Sequence, residues 1–381
     1  MPKDIKWGLL SHSVEYDQKW AKPLGIEVID PGFGKIKNIR IKCYIYFAIF
    51  TMLLLLRKCG LKGLANQFSL SKKIAKYDRV FDLSGDSYKD YSGGFSPYHN
   101  AVMAFITSMN IKAYLISQSL GPFRPVNRRW VKKVLNKLSF IYLRETKTEA
   151  LLKDMGVVTP WKILPDIAFA LPFERGPNEA CDEFLSKLDY IKSQDQAIVM
   201  VSISKLLYDI HSEGYITFMI SLLEDIKAKM NPVFALVPHD VKEKEMGGDD
   251  VMAIHHFLAN CPNQLSESCL AVDFDFDPSF IKQIALRSAF SVAGRMHAGI
   301  ASLSSNIPCL FISWSHKYSG LAHQVGIENS TAEMSEVSHS NTQELLNKFI
   351  ESLEFNKNQI EAYNRNAKRD ITEFLLEMLK N

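Results

Sequence analysis

The chain lacks most of the short motifs from which an enzyme class is usually read. Its six cysteines (Cys43, Cys59, Cys181, Cys261, Cys269, Cys309) form no Cys-x-x-Cys pair and no Cys/His pattern with metal-ligand spacing. That excludes a zinc ribbon or dithiol redox motif and suits reduced thiols in a cytoplasmic protein. There is no Gly-x-Gly-x-x-Gly followed by a ribose-binding acid, no Walker loop and no Gly-x-Ser-x-Gly. These absences argue against nicotinamide chemistry, P-loop phosphoryl transfer and a serine hydrolase. The formal net charge is only +3, so nucleic acid is not an expected partner. Met1 to Trp7 lacks the basic start and apolar core of a signal peptide.

Long apolar runs are also missing. The longest, Cys43 to Leu56, falls short of the roughly 20 residues a bilayer span needs, and reads as a buried helix. Acids are scarce around it. Between Gly32 and Arg79 stand Lys35, Lys37, Arg40, Lys42, Arg57, Lys58, Lys62, Lys72, Lys73, Lys76 and Arg79, with Asp78 as the only acid. A second basic run, Arg124, Arg128, Arg129, Lys132, Lys133 and Lys137, interleaves with Trp130, Val131, Val134, Leu135 and Leu138 at helical spacing. Cationic faces beside apolar ones suit anionic lipid or diphosphate headgroups, so peripheral membrane contact is an expectation alongside a plainly solvated helix face.

What is present is an α/β pattern. A chain of 381 residues exceeds one ordinary core, and two domains are expected. Short apolar runs alternate with helical stretches, as in parallel sheets. Strands are predicted at residues 80–83, 113–116, 140–143 and 162–164, and a helix over 146–155 stopped by Gly156. Residues 172–195 are rich in loops and mixed charge, and separate an N-terminal lobe (1–175) from a C-terminal one (195–381). In the second lobe, strands are predicted at 197–203, 233–237, 290–293 and 308–312, a helix at 215–230, and a helical tail over 341–379 that packs across both lobes.

The polar motifs fall at predicted strand ends: Gly85-Asp86, Gln118-Ser119, Arg144, Asp166, Ser202/Ser204, His239-Asp240, Arg295/His297 and Ser315-His316-Lys317. In an open α/β sheet, ligands bind there, so two lobes facing a cleft are expected. The densest motif is Gly294-Arg295-Met296-His297. A strand, a glycine turn and a helix start make an anion site, to which Arg adds a planar fork and His a proton donor or acceptor near neutral pH. A structural Arg and a buried, hydrogen-bonded His would look the same. Metal binding by His255-His256 with His239 and His211 is disfavoured, because adjacent residues on a helix diverge by about 100°. A site of several cations without a metal suits a small, strongly anionic substrate such as phosphoenolpyruvate, whose methylene carbon His297 could protonate.

In their order, these segments resemble the polysaccharide pyruvyl transferase family. The resemblance rests on Gly85-Asp86-Ser87, Gln118-Ser119-Leu120-Gly121-Pro122-Phe123, Arg144 through Gly156, Pro165-Asp166-Ile167-Ala168-Phe169, Arg295-Met296-His297 and Lys317-Tyr318-Ser319-Gly320, and covers roughly Asp82 to Gly326. The family's opening Asn-x-Gly-Asp turn is missing from Met1 to Ser13, and neither His12-Ser13 nor Gly32-Phe33-Gly34-Lys35 replaces it. The resemblance implies two Rossmann-like lobes in a GT-B-like arrangement, and transfer of pyruvate from phosphoenolpyruvate to a sugar of a cell-surface polysaccharide as a cyclic ketal, with no cofactor beyond the donor substrate. It implies His297 as general acid and Arg295 and Arg144 as donor-binding residues, with Lys317 and Ser202 beside them. Asp86, Gln118 and Ser119 would face the acceptor. Asp166 reads first as a turn or cap acid, and Gln118 equally as a loop-shaping residue. A glycan precursor on a polyprenyl diphosphate at the inner face of the membrane is an acceptor that the basic, apolar segments suit. Two alternatives stay open: a nucleotide-sugar glycosyltransferase of the same fold, against which stands the lack of any Asp or Glu from Ser291 to Ile312, and a non-catalytic binder of phosphorylated sugars.

Overall fold

The computed structural model describes residues 5–11, 14–30, 39–90, 96–241 and 249–380. His12-Ser13, Gly32-Phe33-Gly34-Lys35 and Lys37 lie outside the described residues. The chain divides into two compact units, Met1–Ile163 and Leu164–Asn381, each built on its own parallel sheet.

The first unit contains β1 (Gly8–Leu10), β2 (Glu27–Ile29), β3 (Arg79–Asp82), β4 (Lys112–Gln118), β5 (Phe140–Leu143) and β6 (Trp161–Ile163). β1 and β2 pair with each other, and the rest form a sheet in the order β3-β4-β5-β6, parallel throughout. Parallel strands need crossover helices. The helix Thr146–Met155 is one, capped at its start by the Glu145 carboxylate, which accepts from the Lys147 N–H, and ended by Gly156 in the left-handed region.

The second unit contains β7 (Ile198–Ser202), β8 (Val233–Leu236), β9 (Cys269–Ala271), β10 (Phe290–Ala293), β11 (Cys309–Ser313) and β12 (Thr331–Glu333). Their order in the sheet is β12-β11-β10-β7-β8-β9. A sheet covered on both faces needs apolar residues in succession, and Ile198-Val199-Met200-Val201 supplies them. Val199 and Val201 enter one core with Phe234, Val292 and Leu310, while Ile198 and Met200 enter the other with Ala235 and Val237. Strands run outward from β7 in one direction and from β10 in the other. The chain order thus reverses between these two neighbours, which is the place where a doubly wound sheet binds its ligand.

The expected helical tail is present as two helices, Thr342–Glu351 and Leu353–Lys380. The longer one seats the short turn Ile167–Ala170, with the Phe169 and Tyr363 rings 5.2 Å apart. The apolar run predicted as a buried helix lies in the helix Ile39–Lys58, but only one of its faces is covered. Tyr46, Phe50 and Leu53 are buried towards the helix Ser96–Ser108, with Phe50 against Phe105 at 5.6 Å, while Leu55 is 55% and Met52 40% exposed. A helix that is apolar all round has a core-facing side and an outer side of the same composition, and one neighbouring helix covers only the first.

The helix Met296–Leu303 lies so close to β11 that a Cβ on Gly299 would stand 2.0 Å from the Phe311 ring. Gly299→Val is expected to destabilise the second unit by about 1–3 kcal/mol through overpacking, read as a lowered urea midpoint. An unchanged midpoint would show that Phe311 moves freely.

Candidate functional site

In the second unit the site is organised by a residue that sequence reasoning missed. Asp250 is fully buried at the start of the helix Asp250–Asn260. Its carboxylate accepts the backbone N–H groups of Lys205 (2.8 Å), His239 (3.1 Å) and Asp240 (2.8 Å). It also takes the Arg295 guanidinium side-on, with Nε at 3.1 and 3.0 Å from its two oxygens and Nη2 at 2.7 Å. Arg295 Nη2 donates further to Asp240 at 3.1 Å. Burial works against the Arg295 charge, but the hydrogen bonds and charge of Asp250 outweigh it, and the pKa is raised. The only local sign of Asp250 is a pair of acids, Asp249-Asp250, after two glycines. Nothing there indicates a partner 45 residues away.

Gly294 opens the turn after β10 because no side chain fits there. Its N–H donates to the Ser202 carbonyl at 2.9 Å, its carbonyl accepts from Tyr318 Oη at 3.0 Å, and a Cβ would fall 2.7 Å from Tyr215 Oη. His297 then stands exposed in the first turn of the helix Met296–Leu303, which rules out a buried structural histidine. Its ring stacks on that of His239 with centroids 5.7 Å apart and planes at 22°. Its Nε2 lies 3.9 Å from Oδ2 of Asp166. Asp166 is buried and also caps the turn Ile167–Ala170, accepting from the Ala168 N–H at 3.0 Å, which is the cap reading. Burial, together with the neighbouring His297, pushes His239 down to about 3, which leaves it a neutral ring at neutral pH.

Lys317 follows β11, in the first turn of the helix His316–Val325, with Nζ 5.7 Å from the centre of the Trp314 ring. Burial pushes its pKa down to about 8. Ser202 ends β7 fully buried, its Oγ without a hydrogen-bond partner among the described residues, while Ser204 caps the helix Lys205–His211. Arg295, His297, Lys317 and Ser202 therefore stand at the carboxyl ends of three adjacent strands, β10, β11 and β7.

The first unit gathers a second group at its own strand ends. Arg144, buried just after β5, donates from Nε to Ser119 Oγ at 2.9 Å, and the Ser119 N–H donates to the Gly85 carbonyl at 2.8 Å. Thr148 on the following helix bonds Glu145 and accepts the Leu120 N–H at 3.0 Å, which ties the 118–121 loop to that helix. Asp86 holds Lys89 at 2.8 Å, and burial with the Arg144 charge lowers the Lys89 pKa. Lys89 carried no motif and was not foreseen. Gln118 is fully buried, and its amide donates to the Asp82 (3.1 Å) and Ile116 (3.2 Å) carbonyls, which is the loop-shaping role. Asp250→Asn is expected to cost about 3–5 kcal/mol in urea unfolding, because Arg295 loses the charge that compensates it in a buried setting. A loss below 1 kcal/mol would show the pair to be solvated.

In solved structures, the chain is similar to a UDP-GlcNAc 2-epimerase from Neisseria meningitidis (14% identity, 98% of this chain and 91% of that one, TM-score 0.56). It is similar too to a UGT2 from Phytolacca americana (12%, 98% and 92%, 0.53) and an α,α-trehalose 6-phosphate synthase from Burkholderia multivorans (9%, 82% and 73%, 0.51). At such identities the likeness is one of fold, and that fold is the GT-B-like one of two α/β sheet bodies. No curated protein matches the chain in sequence. Residues 22–316 match the family described as polysaccharide pyruvyl transferase, which takes in β3 to β11 and the strand-end residues named above apart from Lys317. The chain belongs to the polysaccharide pyruvyl transferase family.

Proposed function

We propose that this transferase moves pyruvate from phosphoenolpyruvate to two hydroxyls of a sugar in a cell-surface polysaccharide precursor, forming a cyclic ketal, with His297 as general acid. The observation that carries this reading is His297 itself. It stands at the switch point of the second sheet, beside the buried Asp166 carboxylate and next to an Arg295 already fixed in place. A proton from His297 adds to the methylene carbon of phosphoenolpyruvate, which becomes a methyl group, and positive charge develops at C2. One sugar hydroxyl attacks C2, the C2–O bond to phosphate breaks, and the second hydroxyl closes the ring. Of the two hydroxyl protons released, one restores His297 and the other leaves on phosphate, so the step balances.

Each neighbour has a part in that scheme. Asp166 compensates the imidazolium charge, and the neutral His239 ring sets the plane of His297 without adding a competing cation. Asp250 engages the Nε and Nη2 side of Arg295, so the donor's phosphate or carboxylate would meet the Nη1 side. Lys317 adds a cation that loses its proton readily. In the first unit, Arg144 with Ser119 is offered to an anionic group of the substrate, and Asp86 to a sugar hydroxyl.

Isothermal titration with phosphoenolpyruvate, beside a panel of nucleotide sugars, tests the donor. Binding of phosphoenolpyruvate that Arg295→Ala weakens supports the reading, whereas binding of a nucleotide sugar instead moves the protein to the glycosyltransferases. His297→Ala is expected to lower acceptor-dependent phosphate release from phosphoenolpyruvate by about 10²–10⁴-fold with the fold intact by circular dichroism. Near-normal release would remove His297 from the acid role. Because the Lys317 pKa lies at about 8 rather than 10.5, its cation is present below that pH and lost above it. Phosphoenolpyruvate affinity is therefore expected to fall as pH rises through about 8, and Lys317→Arg to flatten that limb. An identical limb in the arginine variant would assign it elsewhere.

A further inference from the structure

We infer that the outer face running from the helix Ile39–Lys58 through Phe68 docks on an anionic lipid surface. Met52, Leu55, Leu61, Leu64 and Phe68 are all exposed, at 40, 55, 52, 48 and 38%, within one short stretch of chain. Met52 and Leu55 lie one turn apart on the side of the helix opposite Leu53 and Leu54, which are buried. The chain then turns at Gly60 and presents Leu61 and Leu64 around the short helix Lys62–Gln67. Exposed apolar side chains this close together mark an interaction surface.

Charge identifies the occupant. Residues 39–77 contain no Asp or Glu at all. Lys58 and Lys62 are exposed within the apolar stretch itself, and Lys72 just beyond it. The Phe47 and Trp130 rings, 6.3 Å apart, bring the helix Pro125–Leu135 alongside, and this helix carries exposed Arg129 and Lys133 one turn apart. Lys73 and Lys76 do not belong to this set, since they hold the Asp30 carbonyl and the Glu27 carboxylate. A second copy of the chain on a two-fold axis would oppose cation to cation on the same face, which disfavours a dimer there. Anionic headgroups match the cations while the acyl boundary takes the apolar side chains. No described helix is long and apolar enough to cross a membrane, so the contact lies in the plane of the surface. The inference does not depend on the transfer chemistry.

Flotation of the full chain with phosphatidylcholine vesicles, with and without phosphatidylglycerol, is the test. The expected result is binding that requires phosphatidylglycerol and weakens at raised salt. Each charge reversal among Lys58, Lys62, Arg129 and Lys133 should weaken it by at least about fivefold, the weight of one basic residue at an anionic leaflet. Met52→Asp with Leu55→Asp, both exposed and so compatible with folding, should reduce it by at least about tenfold. No vesicle binding, binding unaffected by the two aspartates, or a concentration-dependent dimer in sedimentation that those aspartates abolish would each overturn the inference. Phosphoenolpyruvate binding measured on the same variants should be unchanged, which separates this result from that of the transfer reading.

Discussion

The second unit depends on one buried carboxylate. Asp250 gathers the first residues after β7, the residues after β8 and the arginine after β10 onto a single pair of oxygens. An isolated carboxylate in that position would be prohibitively costly to desolvate, and so would an isolated guanidinium. Each is tolerable because the other is there, with three N–H groups completing the shell. Three separate loops are thereby held in register at the reversal of the sheet. Arg295 has no rotamer to choose, and His297, two residues on, inherits its position from the same turn. His239 is placed by its own N–H to Asp250 and by its ring against His297.

Much of this was legible in the sequence. Strands rich in β-branched residues, such as Ile198–Ser202, announce themselves because a sheet covered on both faces leaves no room for polar alternation. Arg295 and His297 were legible because a glycine between a strand and a helix marks a site whatever the rest of the fold does. Strand order was not, since nothing local to β7 or β10 says that they are neighbours. Asp250 was hidden for the same reason, and Lys89 because an isolated surface-type residue carries no pattern. Gln118 shows the opposite failure. Its motif is distinctive, but its side chain lies in the sheet, bonded to carbonyls of β3 and β4. The helix Ile39–Lys58 was misjudged because composition reports that a residue is apolar, not which neighbour covers it.

Both units solve the same electrostatic problem. Their strand-end cations are buried, and burial works against charge. Arg144 and Arg295 are both oriented by hydrogen bonds to oxygen, from Ser119 in one case and from Asp250 in the other, and arginine is the side chain that best keeps its charge when buried. The lysines, Lys89 and Lys317, have pKa values depressed by burial, with the Arg144 charge adding to the effect at Lys89. Arginine thus supplies the permanent part of the field and lysine the adjustable part.

The turn that carries Asp166 is seated by the helix Leu353–Lys380, through Phe169 against Tyr363. Asp166 itself comes at the very start of the unit's sequence. During synthesis, the six strands can therefore emerge and pair on the ribosome while the carboxylate beside His297 still lacks its support. The turn beside His297 is seated only when a helix that follows all six strands in the chain closes over the start of the unit. A chain cut before that helix could thus reach a folded sheet without seating Asp166 beside His297.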